Sequence, residues 1–277
     1  MAGEAPVRHA AEFWHDPEIP EIESRRSCQL ISCYRPHTHT RFSIGLIESG
    51  HTSFRGYSGQ QATLLPGDVI LIPAGHIHAC NPQNGQWEYQ MIHLDQQWLS
   101  ALLPEAAVRL FSGIRIFREP RLYQSLTEFN DQLFSGPNRN SVQRALREIF
   151  TDFDCLPIYE SVPMQPDGTD QRLSLVLKKL RDDTPVPHLR ELASLLNMSK
   201  YQLIRYVRSN TGFTPIAWRH NELVIRSREL LRAGTPIAQA ASELGFADQS
   251  HFHRVFHAHV AAAPGKYQQP VQYRTRP

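Results

Sequence analysis

Apolar residues recur along this chain with two different periods, and the change of period divides it into parts. Between residues ~10 and 95 the apolar runs are short. Residues 42–47 (Phe-Ser-Ile-Gly-Leu-Ile), 68–72 (Asp-Val-Ile-Leu-Ile) and 87–94 (Trp-Glu-Tyr-Gln-Met-Ile-His-Leu) are rich in β-branched and aromatic side chains, as strands are. In the last run the aromatic residues alternate. Turn signals at Ser49-Gly50, Gly56, Gly59 and Pro66-Gly67 separate the runs. Many short strands with frequent turns predict an antiparallel barrel or sandwich.

From ~97 to 158 the period becomes helical. Leu122, Leu126, Phe129 and Leu133 form one stripe, and Val142, Leu146, Ile149 and Phe153 another, joined by Ser135-Gly-Pro-Asn. The reading is a helical hairpin whose stripes seal the barrel or join two subunits. Residues 161–169 have the Pro, Gly and polar make-up of a linker. After them Leu173, Val176, Leu177 and Leu180 mark a helix, and two helix-turn-helix patterns follow.

The first pattern spans 188–208. Leu189, Leu192, Ala193 and Leu196 lie on one helical face, and Pro187 precedes it. Asn197-Met198 makes the turn and Ser199 is a good N-cap. Leu203, Tyr206 and Val207 face inward in the second helix, and Gly212 ends it. The second pattern spans 237–256 and repeats the plan. Ile237, Ala240, Ala241 and Leu244 form the inner stripe, Gly245 the turn, Asp248 the cap, and Phe252, Val255 and Phe256 the anchor. Two rigidly joined motifs can read two successive stretches of major groove.

Charge strengthens that reading over two ordinary helical hairpins. Residues 168–277 hold 16 Lys+Arg and 8 Asp+Glu, a net of +8, including all four lysines. Residues 1–167 carry the other 13 and 19, a net of −6, which the whole-chain value of +2 hides. A basic half with polar helix faces is the footprint of a phosphate-backbone binder. A length of 277 residues suits about two domains. No apolar run is long enough for a membrane span, and the N-terminus lacks an apolar signal core. The scattered cysteines (28, 33, 80, 155) fit reduced thiols, and a cytoplasmic location is expected.

Residues 170–268 resemble the DNA-binding domain of AraC-type (AraC/XylS) transcriptional regulators. The resemblance rests on the first motif followed by Ser209-Asn-Thr-Gly-Phe-Thr-Pro215, a long joining helix, and the second motif ending Ala-Pro-Gly-Lys-Tyr267. It implies that the second helix of each motif enters the major groove. Ser199, Lys200, Tyr201, Ile204, Arg205 and Arg208 would then serve the first contact. Gln249, Ser250, His251, His253 and Arg254 would serve the second. Arg205 and Arg254 are the best candidates for guanine or phosphate, since arginine grips guanine through two bonds. The chain departs from the family pattern at Ala261, where glycine is usual, and at Gln268, where arginine is frequent.

The strand region resembles the cupin-like domain that commonly precedes such a DNA-binding part. His37-Thr-His39, and Gly67 to Asn81 with Pro73, Gly75, His76 and His78, resemble the two halves of a cupin motif. In metal-binding cupins three histidines and a glutamate converge. Here His37, His39 and His78 stand at the histidine positions, but Ile44 falls near the expected glutamate and Glu48 comes too late. Two readings compete: a divalent metal on these imidazoles, or a metal-free effector pocket. The missing glutamate favours the pocket, lined by His37, His39, Arg41, Ser43, His78, Trp87, Tyr89 and His93, so no metal or cofactor is assigned. His251, His253, His257 and His259 form another cluster, read as DNA-proximal rather than chelating. Walker, nucleophile-elbow and dinucleotide motifs are absent.

The expectation is an α+β multidomain chain. Residues 10–160 form an N-terminal antiparallel β-barrel, cupin-like, with a helical hairpin for effector binding and dimerisation. Residues 161–169 form a linker. Residues 170–270 form a C-terminal all-α domain with two helix-turn-helix motifs. The expected function is a transcription regulator, an activator by resemblance, with partners in promoter DNA, a small-molecule effector, a second copy and RNA polymerase. The alternative is a metal-dependent cupin enzyme or metal sensor that carries a DNA-binding part.

Overall fold

The computed structural model describes residues 11–30, 34–56, 59–83, 85–104, 109–151, 156–163, 170–183 and 187–269. Ten strands lead: β1 (Glu12–His15), β2 (Ile22–Leu30), β3 (Phe42–Ser49), β4 (Thr52–Gly56), β5 (Gln61–Leu64), β6 (Val69–Ile72), β7 (His78–Pro82), β8 (Gln86–Leu94), β9 (Gly113–Phe117) and β10 (Glu160–Pro163). Helix α1 (Gln96–Leu102) follows β8, and α2 (Pro120–Phe134) and α3 (Arg139–Thr151) form the hairpin between β9 and β10.

The strands pair antiparallel in two sheets, ordered β1-β2-β8-β3-β6-β9-β10 and β5-β4-β7. Among the described residues no ladder joins the two into a closed barrel. The expected barrel is therefore an open, two-sheet form of that architecture. The crossing between sheets has a local cause. A register shift falls between Ile47 and Ser49 on β3, and Gly50 turns the chain with φ 75°. A side chain at Gly50 would meet the Gln86 carbonyl at 2.5 Å, so only glycine fits.

Strand alternation gives the long sheet two buried faces. Ile44, Leu46, Val69, Leu71, Ile92 and Leu94 face α2 and α3, whose stripes Leu122, Leu126, Phe129, Leu133, Val142, Leu146 and Phe150 pack on them. Both stripes are thus spent on the chain's own sheet rather than offered to a second subunit. The opposite face carries Ile47, Ile70, Ile72, Trp87, Tyr89 and Ile114, which meet Phe54, Leu64 and Cys80 of the short sheet. The expected linker is corrected at its start: Ser161 and Val162 pair with Arg115 and Ile114 as strand β10. Residues 164–169 lie outside the described residues, as do Cys33, Phe153 and Cys155.

The C-terminal half is α4 (Gln171–Asp182), α5 (Leu189–Leu195), α6 (Lys200–Thr211), α7 (Pro215–Arg232), α8 (Ile237–Glu243), α9 (Gln249–Val260) and α10 (Pro264–Gln268). The turns of the two motifs use left-handed residues, Asn197 (φ 53°) and Gly245 (φ 72°). Ser199 caps α6 by accepting from the Gln202 amide at 3.3 Å, and Asp248 caps α9 by accepting from the His251 amide at 2.6 Å. The first motif closes over Leu173, Val176, Leu180, Leu192, Leu203 and Val207. The second closes over Leu231, Ala240, Leu244, Phe252, Phe256 and Tyr267.

Each of these cores takes apolar residues from the other half. Ile77, between β6 and β7, enters the first. Phe13 of β1 enters the second, its ring edge-on to Tyr267 with centroids 5.0 Å apart. Ala261, one of the departures from the family pattern, sits past α9 with φ 50°. Gln268, the other, donates to the Thr235 carbonyl at 2.7 Å and so ties α10 to the α7–α8 turn.

Candidate functional site

The DNA-reading residues expected from sequence fall on two short helices. On α6 Lys200, Tyr201, Arg205 and Arg208 are exposed, Tyr201 at 67%, and Ile204 is half-buried. Positions 201, 205 and 208 share one face. Ser199 is exposed too, but its hydroxyl is engaged as the cap. On α9 Gln249, Ser250 and Arg254 are exposed. His251 and His253 are half-buried, and the His251 ring stands edge-on to Phe246 at 5.3 Å. The other α9 histidines divide: His257 is exposed, whereas His259 is buried and its Nδ1 pairs with the Val255 carbonyl at 2.8 Å. The reading of His259 as DNA-proximal is therefore corrected; it faces the interior.

That interior is a cavity of about 60 Å³ between the two halves. The strand half contributes His37, His39, His78, Trp87, Tyr89 and His93, six of the eight residues expected for an effector pocket. The alternation of β8 explains three of them, since Trp87, Tyr89 and His93 share its inner face with Met91. The remaining two point elsewhere. Arg41 donates to the Pro20 carbonyl at 2.7 Å, and the Ser43 hydroxyl is held by His93 Nδ1 at 2.8 Å behind the cavity wall.

The opposite wall escaped the sequence reading. Asn221, Val224, Ile225 and Arg228 project from α7 into the cavity. Their i, i+3, i+4, i+7 spacing is the available signal, masked because two of the four are polar. Two bonds join Asn221 to the loop before β3: its Oδ1 accepts from the Thr38 amide at 2.9 Å, and its Nδ2 donates to the Thr38 hydroxyl at 2.8 Å. Glu23 on β2 accepts from Arg228 at 2.5 Å, from Arg232 at 3.2 Å and from the Tyr267 hydroxyl at 2.6 Å. Burial alone would raise the Glu23 carboxyl; Arg228 and Arg232 overcome it and hold the group well below the usual carboxylate range. Arg25 donates to the Val260 carbonyl and lies over the rings of Phe13, Tyr34 and Tyr89 at 5.1–5.8 Å.

Four imidazoles cluster at one end of the cavity. The His37 and His39 rings are 4.8 Å apart, His37 and His78 4.6 Å, and His39 and His93 4.5 Å. Burial, then neighbouring histidines, push His37 and His39 well below the ordinary value. Burial takes His78 to about 4, and burial with Arg228 lowers His93. Each of these shifts favours the neutral imidazole, the form that offers a nitrogen lone pair.

Comparison with known proteins agrees with this division. Residues 26–153 match the model of the AraC-like ligand binding domain, and 192–270 match a helix-turn-helix domain. The chain is 24% identical over 247 residues to the uncharacterized HTH-type transcriptional regulator YbfI of Bacillus subtilis, covering 85% of this chain and 87% of that one. It is 26% identical over 228 residues to the arabinose operon regulatory protein of Salmonella typhimurium, covering 76% and 77%. Unsaturated fatty acid-bound ToxT from Vibrio cholerae shares the fold with TM-score 0.54 at 15% identity, over 89% of this chain and 94% of that one. The chain is an AraC-type (AraC/XylS) transcriptional regulator: an effector-binding N-terminal domain joined to a helix-turn-helix DNA-binding domain. Its relatives are transcription regulators, and no helix among the described residues is long and apolar enough to cross a membrane.

Proposed function

We propose that this regulator is a cytoplasmic homodimer that activates transcription, contacts RNA polymerase, and catalyses no reaction of its own. Its effector is a small organic molecule held in the cavity between β8 and α7. One observation carries this reading: the cavity has one wall from each half. Whatever enters must alter how the sensor holds α7, and α7 joins the two DNA-reading motifs. A ligand shifts such an equilibrium only by its differential affinity for the two arrangements. A cavity of about 60 Å³ holds roughly four waters, so an effector larger than that displaces the α7 wall. The Trp87 indole nitrogen is buried without a partner among the described residues. With Arg25 lining the same cavity, the site favours a ligand that carries acceptor oxygens.

The test has two steps. Binding sites are mapped in the cell of origin, so that the neighbouring genes name candidate effectors. Promoter affinity of the full chain is then measured with and without each candidate. The reading expects one candidate to change affinity by about fivefold or more, the usual span of allosteric coupling, and Trp87→Phe to reduce that response. A promoter affinity indifferent to every candidate that measurably binds would contradict it.

A further inference from the structure

The histidine cluster carries an inference that the effector pocket does not require. His37, His39 and His78 offer ring nitrogens that all lie within 4.8 Å of one another. In two of the rings the backbone fixes one nitrogen. His37 Nδ1 pairs with the Arg35 carbonyl at 2.8 Å, and His78 Nδ1 with the His76 carbonyl at 3.0 Å. A carbonyl only accepts, so both Nδ1 atoms carry the proton and both Nε2 atoms keep the lone pair. Backbone carbonyls are habitual partners of metal-ligating histidines, because they set the tautomer and the ring direction. Three neutral imidazoles suit a borderline divalent ion such as Zn²⁺, Co²⁺ or Ni²⁺, with water or an effector oxygen completing the shell. The donor set therefore fits without the glutamate that the sequence lacks.

The third ring is different. His39 Nδ1 lies 3.2 Å from the Arg228 guanidinium. Arginine only donates, so the single lone pair of neutral His39 is already given to α7 of the DNA-binding half. If a metal took Nδ1, it would displace Arg228 directly. If it took Nε2, Nδ1 would have to carry the proton and could no longer accept. The two bonds exclude each other whichever nitrogen is used, and a dication beside a buried guanidinium adds repulsion. We propose that His37, His39 and His78 form a divalent transition-metal site, and that its occupation expels Arg228 from His39 and loosens the sensor's hold on α7. By reciprocity, docking of Arg228 weakens metal binding. The inference rests on the regulator reading only for its consequence at DNA.

The experiment titrates the untagged, chelator-treated full chain with Co²⁺ alone, by calorimetry and metal analysis. One ion per chain is expected, with affinity weakened at least about tenfold in His78→Ala. Affinity should be tightened about tenfold in Arg228→Met, within the usual coupling range. Because Arg228→Met leaves Glu23 with fewer partners and could impair folding, Glu23→Gln/Arg228→Met is measured beside it, with the same tightening expected. No uptake at about 1 mM Co²⁺, or uptake undiminished in His78→Ala, as on His253 and His257 of α9, overturns the site. Equal affinity in the wild-type chain and a folded Arg228 variant overturns the exclusion. DNA binding of the metal-free chain is assayed in parallel. Specific DNA binding without uptake defeats this inference alone, and uptake without DNA binding defeats the regulator reading alone.

Discussion

Glu23 on β2 and Arg228 on α7 stand 205 residues apart in the chain and meet at 2.5 Å, the Glu23 side chain only 1% exposed. With Arg232 and Tyr267 on the same carboxylate, this is the polar centre of the contact between sensor and DNA-binding domain. Removing one partner of a buried pair leaves the other uncompensated, at a cost of about 3–5 kcal/mol. Glu23→Ala is therefore expected to lower stability by about that amount in denaturant unfolding. A loss below about 0.5 kcal/mol, the level of an ordinary surface substitution, would show that the pair is not holding the halves together.

Arg205 and Arg254 are exposed on α6 and α9, and neither forms an ion pair among the described residues. Replacing either with alanine should weaken specific DNA binding by about 1–3 kcal/mol while leaving the unfolding midpoint unchanged. The affinity of the unaltered chain should fall steeply with salt. A flat salt titration would argue against phosphate contacts.

Ala261 takes a left-handed conformation at the end of α9, with φ 50°. Its amide closes the helix on the His257 carbonyl at 2.8 Å. An L side chain pays roughly 1 kcal/mol in that region, and glycine does not. Ala261→Gly should therefore stabilise the chain by about 1 kcal/mol, read as a higher melting temperature. A lower one would mean that Ala261 packing outweighs backbone strain.

His220 on α7 is half-buried, and its pKa is lowered to about 4 by burial, then by His259, His251 and Arg35. The unfolded chain therefore binds a proton that the folded chain refuses. Stability from this group is complete above the ordinary value of 6.5 and is lost as pH falls from there toward about 4. Full burial would make such a shift worth ~3 kcal/mol; solvent screening of a half-exposed ring reduces it to about 1–2 kcal/mol. His220→Asn should flatten the pH dependence of unfolding in that window. An unchanged slope would assign the acid sensitivity to other groups.

The DNA-reading half was legible because its signals are local. Caps at Ser199 and Asp248, turns at Asn197 and Gly245, and stripes such as Leu189–Leu192–Ala193–Leu196 all lie within a few residues of one another. The β8 side of the cavity was legible for the same reason, through the alternation of Trp87, Tyr89 and His93. What was missed is non-local. Glu23, Arg25, Asn221 and Arg228 lie in no motif and no apolar stripe, so nothing near them in the chain singles them out. Their role comes from docking across some two hundred residues of chain, which no periodicity encodes. Arg41 was misplaced because a chain position near the histidines does not decide which way a side chain leaves the strand. His259 was misplaced because adjacency to His253 and His257 hid that it lies on the inner face of α9.

The central claim is that α6 and α9 each read a stretch of major groove for one subunit. Selection of binding sites from a random DNA pool tests it most directly, using the unaltered chain alongside Arg205→Ala and Arg254→Ala. Two half-motifs roughly one helical turn apart, about 10 base pairs, are predicted. Each substitution should relax one half and leave the other intact. A pool with no enriched sequence, or a motif that both substitutions leave unchanged, would contradict the account.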